Sequence, residues 1–177
     1  DPMTGTGGFA MEAILMGRNC IAVDMNDEMI TGAKSNIKWA LQGKNTNSDY
    51  EIINGDACLL SSLVDKKWHG NISAIVLDPP YGRNSQSSYK HIELLKNTLQ
   101  SARKLVNQSA KMVLIIPIKP NQENQTEYQL LHDDWQTYLE LFADLGIKLL
   151  GQWKEHVHSS LARLILLASI SPLNLTD

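Results

Sequence analysis

The hydrophobic pattern alternates between short apolar runs and longer amphipathic segments along most of the chain. Apolar residues at helical spacing predict helices, and short continuous apolar runs between turn residues predict buried strands. The predicted helices cover residues 8–16, 27–42, 91–106 and 133–145, and the predicted strands cover residues 20–24, 50–54, 72–78 and 112–116. This alternation predicts an α/β fold with a mostly parallel sheet, in which Asp27 caps the second helix and Gly146 ends the last.

Two β-like runs end the chain, at residues 148–157 and 161–170. Too few residues separate them for a helical crossover, so we expect an antiparallel hairpin. At the other end, a glycine-rich turn follows Asp1 and Pro2 with no strand before it. A βα unit needs such a strand, and here it would lie in the middle of the sheet. We therefore expect residues 1–177 to be a single domain of a longer protein, with its first strand truncated.

Composition and charge limit the classes of function. Hydrophobic residues make up 43% of the 177, which suits one folded domain, and no apolar run approaches the roughly 20 residues of a membrane helix. Cys20 and Cys58 lack metal-ligand spacing, as do His69, His91 and His132, so we expect no metal and a reduced, cytoplasmic protein. The net charge of −3 indicates that a nucleic-acid substrate would be held largely by another domain or a local patch.

The first ten residues place several glycines directly before a predicted helix. Gly5 and Gly7 allow a tight turn and a close approach to a ligand, and the helix N-terminus offers unpaired N–H groups. The spacing from Gly5 through Gly7 to Ala10 also fits the dinucleotide fingerprint, with Asp24 at the distance of a ribose-binding acid. The turn therefore predicts an adenosine-containing cofactor without choosing between NAD and S-adenosylmethionine.

Acidic residues end two successive predicted strands. Asp24 can accept hydrogen bonds from both ribose hydroxyls, and Asp56 is placed to accept one from an adenine amino group. Each acid alone is typical of a turn or a helix cap. Because ligands of open α/β folds bind at the carboxyl ends of the strands, the pair together favours a binding site.

The sequence Asp78-Pro79-Pro80-Tyr81-Gly82 closes the apolar strand of residues 72–78. An amino group conjugated to a base is a poor nucleophile, because its lone pair is delocalised into the ring. Asp78 and the backbone carbonyl of Pro79 supply two acceptors that can hold the amino hydrogens and free that lone pair. The two prolines stiffen the carbonyl, and Tyr81 offers a face on which an extruded base can stack.

These stretches resemble the Rossmann-type amino methyltransferases. The resemblance is greatest to the archaeal tRNA guanine-N2 methyltransferases that modify guanosine 10, relatives of the eukaryotic Trm-eleven catalytic subunit. Residues 1–9, 55–57, 78–83 and 158–163 carry the resemblance. It implies a Rossmann-like, S-adenosylmethionine-dependent methyltransferase fold with seven strands, the last antiparallel. It also implies a tRNA substrate and an N-terminal THUMP-containing RNA-binding region upstream.

The resemblance also implies roles for particular residues. The residues assigned to the cofactor S-adenosylmethionine are Asp1, Thr4, Gly5, Gly7, Asp24, Met25, Asp56 and Ala57. Catalysis is assigned to Asp78, Pro79 and Tyr81, and substrate binding to Pro80, Gly82 and Arg83. Arg163 interrupts an apolar run, which favours structural pairing with an acid over exposure to solvent.

Other functions remain open at this point. A DNA or RNA adenine-N6 or cytosine-N4 methyltransferase uses the same Asp-Pro-Pro-Tyr turn, but none of its usual target-recognition region is visible. An NAD-dependent oxidoreductase explains the glycines and Asp24 and leaves residues 78–82 unexplained. A non-catalytic subunit that binds RNA or cofactor is disfavoured by the intact Asp78 and Tyr81.

Overall fold

The structure is a computed structural model that describes residues 1–80, 91–120, 128–158 and 160–173. The helices are α1 (Gly8–Leu15), α2 (Asp27–Ala40), α3 (Leu60–Leu63), α4 (His91–Ala102) and α5 (Trp135–Asp144). The strands are β1 (Cys20–Asp24), β2 (Tyr50–Asn54), β3 (Ile72–Leu77), β4 (Val106–Pro120), β5 (Tyr128–Leu130), β6 (Lys148–His158) and β7 (Leu161–Ser169). Helices and strands alternate as far as β4, which confirms the predicted α/β class.

The strands form two hydrogen-bonded groups. One is the parallel pair β1–β2, and the other is β3-β4-β7-β6 with β5 on the far part of β4. β3 pairs with β4 in parallel, whereas β7 runs antiparallel to both β4 and β6. The predicted antiparallel hairpin at the end of the chain is therefore confirmed.

Helices α4 and α5 cover one face of the second group of strands. The side chains of β7 alternate between buried and half-buried, and the buried set includes Leu164 and Leu166. These pack in one cluster with Leu114 of β4, Leu99 of α4 and Tyr138 of α5. A smaller cluster, in which α1 and α2 meet β1, contains Ala10, Ile14, Ala22 and Ile37. This packing fixes the strand ends that carry the predicted site residues.

Strand β4 is longer than predicted at both ends: it begins at Val106, where the predicted helix was expected to end, and Pro117 does not end it. The carbonyl of Pro117 accepts a hydrogen bond from the N–H of Leu131, so this residue's backbone groups face β5. The N–H that proline lacks would therefore have pointed towards β5 and not towards β7. The antiparallel pairing of Pro117 with Arg163 of β7 continues for this reason. Strand β5 was not predicted, because three residues carry too little periodicity to be recognised.

Two helix starts also differ from the prediction. Asn26, not Asp27, caps α2, and its side chain accepts from the N–H of Glu28 at 2.8 Å. Asp134 caps α5 by accepting from the N–H of Thr137 at 2.8 Å. Both shifts are small, since several acids or amides stand near each helix start. Gly146, with φ of 62°, follows α5 as predicted.

A cleft of about 550 Å³ separates β1 from β3. Asp1 lies along its β1 side in the manner of a parallel strand. Its backbone N–H group donates to the carbonyl of Ile21 at 2.9 Å, and its carbonyl accepts from the N–H of Val23 at 2.9 Å. These two bonds are a parallel bridge opposite Ala22. The cleft therefore lies where the sequence predicts a truncated strand.

Candidate active site

The glycine-rich turn directly precedes α1 and is held against β1 and within itself by backbone hydrogen bonds. The N–H of Thr4 donates to the carbonyl of Val23, and the N–H of Gly7 donates to the carbonyl of Thr4, both at 2.9 Å. Gly5 and Gly7 have φ of 53° and 84°, a region that favours glycine. A side chain at Gly7 would meet the Cβ of Ala33 at 3.0 Å, whereas one at Gly5 would enter open space. Gly7 is therefore required for packing against α2, and Gly5 leaves room beside the turn.

Asp24 connects the end of β1 to this turn. Its Oδ2 atom accepts from the N–H of Gly5 at 2.8 Å, and its Oδ1 atom accepts from the N–H of Asn26 at 2.9 Å. A carboxylate oxygen has two lone pairs, so each oxygen keeps one for a further donor. Asp24 is therefore held in place by the chain and still able to accept from a ligand.

Asp1 and Thr4 form a second polar pair at the turn. The hydroxyl of Thr4, which is buried, donates to Oδ2 of Asp1 at 2.7 Å. The other oxygen, Oδ1, is buried and has no hydrogen-bond partner among the described residues. A buried carboxylate oxygen without a donor is costly, so this position is suited to a donor group on a ligand.

Asp56 begins the short 3-10 turn that follows β2. Its Oδ1 atom accepts from the N–H of Cys58 at 2.8 Å, which leaves Oδ2 available. Burial first, and then the charge of Asp56, raise the pKa of the Cys58 thiol to about 11. Ala57 is buried beside Asp56, and Met25 is half-exposed after β1. Because Asp24 pairs with Asn54 across β1 and β2, Asp56 and Met25 lie close to the same edge.

Asp78 follows the last residue of β3, with its side chain 25% exposed. Pro79 is buried and Pro80 is exposed. The Oδ2 atom of Asp78 lies 3.8 Å from Nη2 of Arg163 on β7. Tyr81, Gly82 and Arg83, which the sequence assigns to the base or its neighbours, lie outside the described residues.

The structure thus joins Asp1, Thr4, Gly5 and Asp24 by contacts through the turn and β1. Asp56 stands at the end of the adjacent strand. Asp78 and Pro79 directly follow β3, the strand that lines the other side of the cleft. The arrangement offers carboxylate acceptors around the turn and one further carboxylate beside a rigid peptide.

A polar cluster near the start of α4 was not predicted. The Nδ1 atom of His91 lies 3.3 Å from Oδ2 of Asp133 and 3.2 Å from the hydroxyl of Tyr138. The ring of His132 stacks on His91 with 5.2 Å between centroids. Burial lowers the pKa of His91, and burial raises that of Tyr138. His91 lies more than forty positions before the other three residues, so no local signal joins it to them.

Two absences hold for the part of the chain that the structure describes. There, no group of three histidine, cysteine, aspartate or glutamate side chains is arranged to hold a metal ion. Within the same residues, no helix has the length and apolar character needed to cross a membrane.

Solved structures of similar fold identify the fold class of this chain. A SAM-dependent methyltransferase from Methanosarcina mazei has a TM-score of 0.64 and 13% identity, covering 97% of this chain and 91% of that one. The tRNA m1G37 methyltransferase of M. jannaschii has a TM-score of 0.58 and 16% identity, covering 98% of this chain and 42% of that one. The fold is therefore that of the Rossmann-like methyltransferases.

The sequence narrows this class to a family. Residues 1–139 match the model of the UPF0020 family, an RMKL-like methyltransferase domain, and the chain belongs to that family. The tRNA (guanine(10)-N2)-dimethyltransferase of Pyrococcus abyssi is 29% identical over 163 residues, 92% of this chain and 42% of the relative. The enzyme of the same name from Methanothermobacter thermautotrophicus is 32% identical over 119 residues, 66% of this chain and 32% of the relative. The chain thus spans less than half the length of these relatives.

Proposed function

We propose that the chain is the catalytic part of an S-adenosylmethionine-dependent methyltransferase that acts on the exocyclic N2 amino group of guanine in tRNA. The observation that carries the proposal is the position of Asp78 and the buried Pro79 directly after β3, the strand that lines the cleft opposite Asp1 and Pro2. Membership of a methyltransferase family and the names of the relatives support the same chemistry.

The residues around the turn fit the donor groups of S-adenosylmethionine. That molecule presents an ammonium group, two ribose hydroxyls and an adenine amino group, all of which donate hydrogen bonds. Asp1 has a buried oxygen with no donor among the described residues, and Asp24 keeps lone pairs after accepting two N–H groups. Asp56 keeps Oδ2, and Gly5 faces open space. Asp1, Asp24 and Asp56 would hold the cofactor, with Thr4 fixing Asp1.

The bound cofactor would supply a methyl group activated by its sulfonium. The chain's own contribution is to hold the acceptor nitrogen. The carboxylate of Asp78 accepts one N–H of the guanine amino group, and the carbonyl of Pro79 accepts the other. Because both hydrogens are engaged, the nitrogen leaves the ring plane and its lone pair becomes available. The methyl group would move to nitrogen as its bond to sulfur breaks, and the amino proton that the nitrogen then loses would pass along its hydrogen bond to Asp78 and on to water. No covalent bond to the protein is needed, so positioning provides the rate acceleration.

Calorimetry with S-adenosylhomocysteine and NAD separates this proposal from an oxidoreductase. We expect binding of S-adenosylhomocysteine and none of NAD, and Asp24→Ala should weaken the former at least tenfold because two ribose contacts are lost. Asp65→Ala, which removes an exposed aspartate outside the site, is the matched control. Binding of NAD without S-adenosylhomocysteine would exclude a methyltransferase.

The substrate is tested with the intact protein, labelled methyl donor and unmodified tRNA, followed by nucleoside analysis. We expect N2-methylated guanosine, and we expect Asp78→Ala to abolish it while S-adenosylhomocysteine affinity stays within about threefold, since Asp78 contacts the amino group and not the cofactor. N6-methyladenosine as the product would instead indicate an adenine methyltransferase. Full methyl transfer by Asp78→Ala would show that Asp78 does not take part in catalysis.

We also propose that polypeptide preceding Asp1 supplies a strand to the cleft and an RNA-binding region of THUMP type. The parallel bridge of Asp1 with β1 and the edge of β3 that faces the cleft support the strand. The net charge of −3 and the greater length of the relatives support an additional region that binds tRNA. Adding the natural upstream residues should therefore raise tRNA affinity.

A further inference from the structure

Arg163 is a charged residue within an otherwise apolar strand. Along β7 the buried residues Ala162, Leu164 and Leu166 alternate with half-buried ones, and Arg163 stands among the latter. Its Nε atom is buried and has no hydrogen-bond partner within the described residues, while the side chain as a whole is 42% exposed. Partial burial of a guanidinium costs free energy, so a specific partner is required to explain it.

The pairing of the strands places that partner at the predicted active site. Leu77 of β3 lies opposite Leu114 of β4, and Pro117 of β4 lies opposite Arg163. The side chain of Arg163 therefore reaches across β4 to Asp78, the residue after Leu77. Nη2 of Arg163 lies 3.8 Å from Oδ2 of Asp78.

This ion pair is too long and too exposed to stabilise the fold appreciably, so stability does not explain why an arginine stands at position 163. Partly exposed ion pairs contribute little to folding. A guanidinium beside a carboxylate does, however, restrict its rotamers. An acceptor for an amino hydrogen must keep one oxygen directed at the base.

We propose that Arg163 is a positioning residue that holds Asp78 oriented for its contact with the amino group of the target base. The contact is made through Oδ2 of Asp78. This inference rests on the proposed function, in which Asp78 accepts from that amino group. Arg163 acts through Asp78 and does not itself touch the reacting atoms.

The test compares Arg163→Met and Arg163→Lys in the intact protein, with methyl transfer to unmodified tRNA as the assay. Arg163→Met should lower kcat by about 10- to 100-fold, with KM for tRNA and affinity for S-adenosylhomocysteine within about threefold. Arg163→Lys should recover part of kcat because it keeps the charge. Arg103→Met is the matched control: Nε of Arg103 donates to the carbonyl of Ser171 at 3.0 Å, so we expect unchanged kcat.

A crystal structure of Arg163→Met gives a readout that does not depend on activity. We expect Asp78 to adopt more than one rotamer while the backbone of β3 and β4 is unchanged. A rise in KM alone, or an Asp78 side chain that stays in place, would overturn the proposal. If the wild-type protein methylates no guanine, the proposed function fails, and the rotamer of Asp78 still decides whether Arg163 orients it.

Discussion

At the scale of single residues, the acids that end β1 and β2 each bind the backbone before any ligand arrives. Asp24 accepts from Gly5 and Asn26, and Asp56 accepts from Cys58. The sequence predicts the positions of these acids, because each follows an apolar run and precedes a helix or turn. It does not predict their backbone partners, which depend on the path of the turn. The hydrogen bonds that shape the turns therefore also fix the positions of the carboxylates that can bind a ligand.

The reactivity of the Cys58 thiol depends on Asp56 and can be used to test their contact. At pH 8 a thiol with a pKa of about 11 is ionised in about one molecule in a thousand. Asp56→Asn removes the charge and weakens the hydrogen bond that raise this pKa, so iodoacetamide should modify Cys58 several-fold faster, measured by mass spectrometry.

Cys20 is the internal control for this experiment. Its pKa is raised by burial, without a contribution from Asp56, so its alkylation rate should not change. Asparagine is also a good capping residue, so the local turn should persist. An unchanged rate at Cys58 would show that Asp56 does not face the thiol.

Arg163 shows what can and cannot be inferred from a single residue. A charge within an apolar strand predicts pairing with an acid, and the sequence supports that prediction. The identity of its partner follows only from the register of β3, β4 and β7. Asp78 and Arg163 are far apart in the chain, so no local pattern joins them.

At the scale of elements, the two glycines of the glycine-rich turn meet different requirements, one for packing and one for ligand space, which the sequence alone does not distinguish. Both Gly5 and Gly7 are predicted to shape a ligand site. In the structure only Gly7 is confined by packing, against Ala33 at 3.0 Å, whereas Gly5 faces open space.

Alanine at each glycine should therefore have a different effect. Gly7→Ala adds overpacking to backbone strain and should lower the free energy of unfolding by roughly 2–4 kcal/mol. Gly5→Ala adds strain alone, roughly 1–2 kcal/mol, and should reduce S-adenosylhomocysteine affinity by obstructing the space beside the turn. Urea unfolding and calorimetry measure the two effects. Equal losses of stability would contradict this separation.

The start of α4 should make the protein sensitive to acid. Burial, the largest effect, lowers the pKa of His91, although Asp133 opposes it and His132 adds to it. The unfolded chain takes up a proton near pH 6.5 that folded His91 accepts only at lower pH. The stabilising effect of neutral His91 is thus complete above about pH 6.5 and is lost as pH falls from there towards the lowered pKa.

Replacement of His91 tests this pH dependence. His91→Gln keeps an amide able to contact Asp133 and Tyr138 and should flatten the fall in unfolding free energy as the pH drops below about 6.5. Urea titrations at several pH values measure the slope. His156→Gln, on the exposed part of β6, should leave the slope as in the wild type. The same slope in His91→Gln would assign the acid sensitivity to other groups.

At the scale of the whole molecule, the order of most elements and the terminal hairpin were predictable, and the pairing of strands distant in the chain was not. Alternating apolar runs indicate the α/β class, and the short link before residue 161 indicates the hairpin. The insertion of β7 between β4 and β6 depends on contacts between distant segments. The cleft is an intermediate case, because the sequence predicts a strand before the glycine-rich turn and the structure shows a cleft beside Asp1.

If a strand fills the cleft, backbone amides on both sides should become protected. The N–H of Ile21 faces the cleft, because the carbonyl of the same residue already accepts from Asp1. β3 has one edge on β4 and the other on the cleft. Hydrogen exchange of residues 1–177 should therefore be faster at Ile21 and along β3 than in a protein that carries its natural upstream residues. β7, paired on both sides, should change little. Equal exchange at Ile21 in the two proteins would mean that the upstream polypeptide lies elsewhere and that the two groups of strands stay separate.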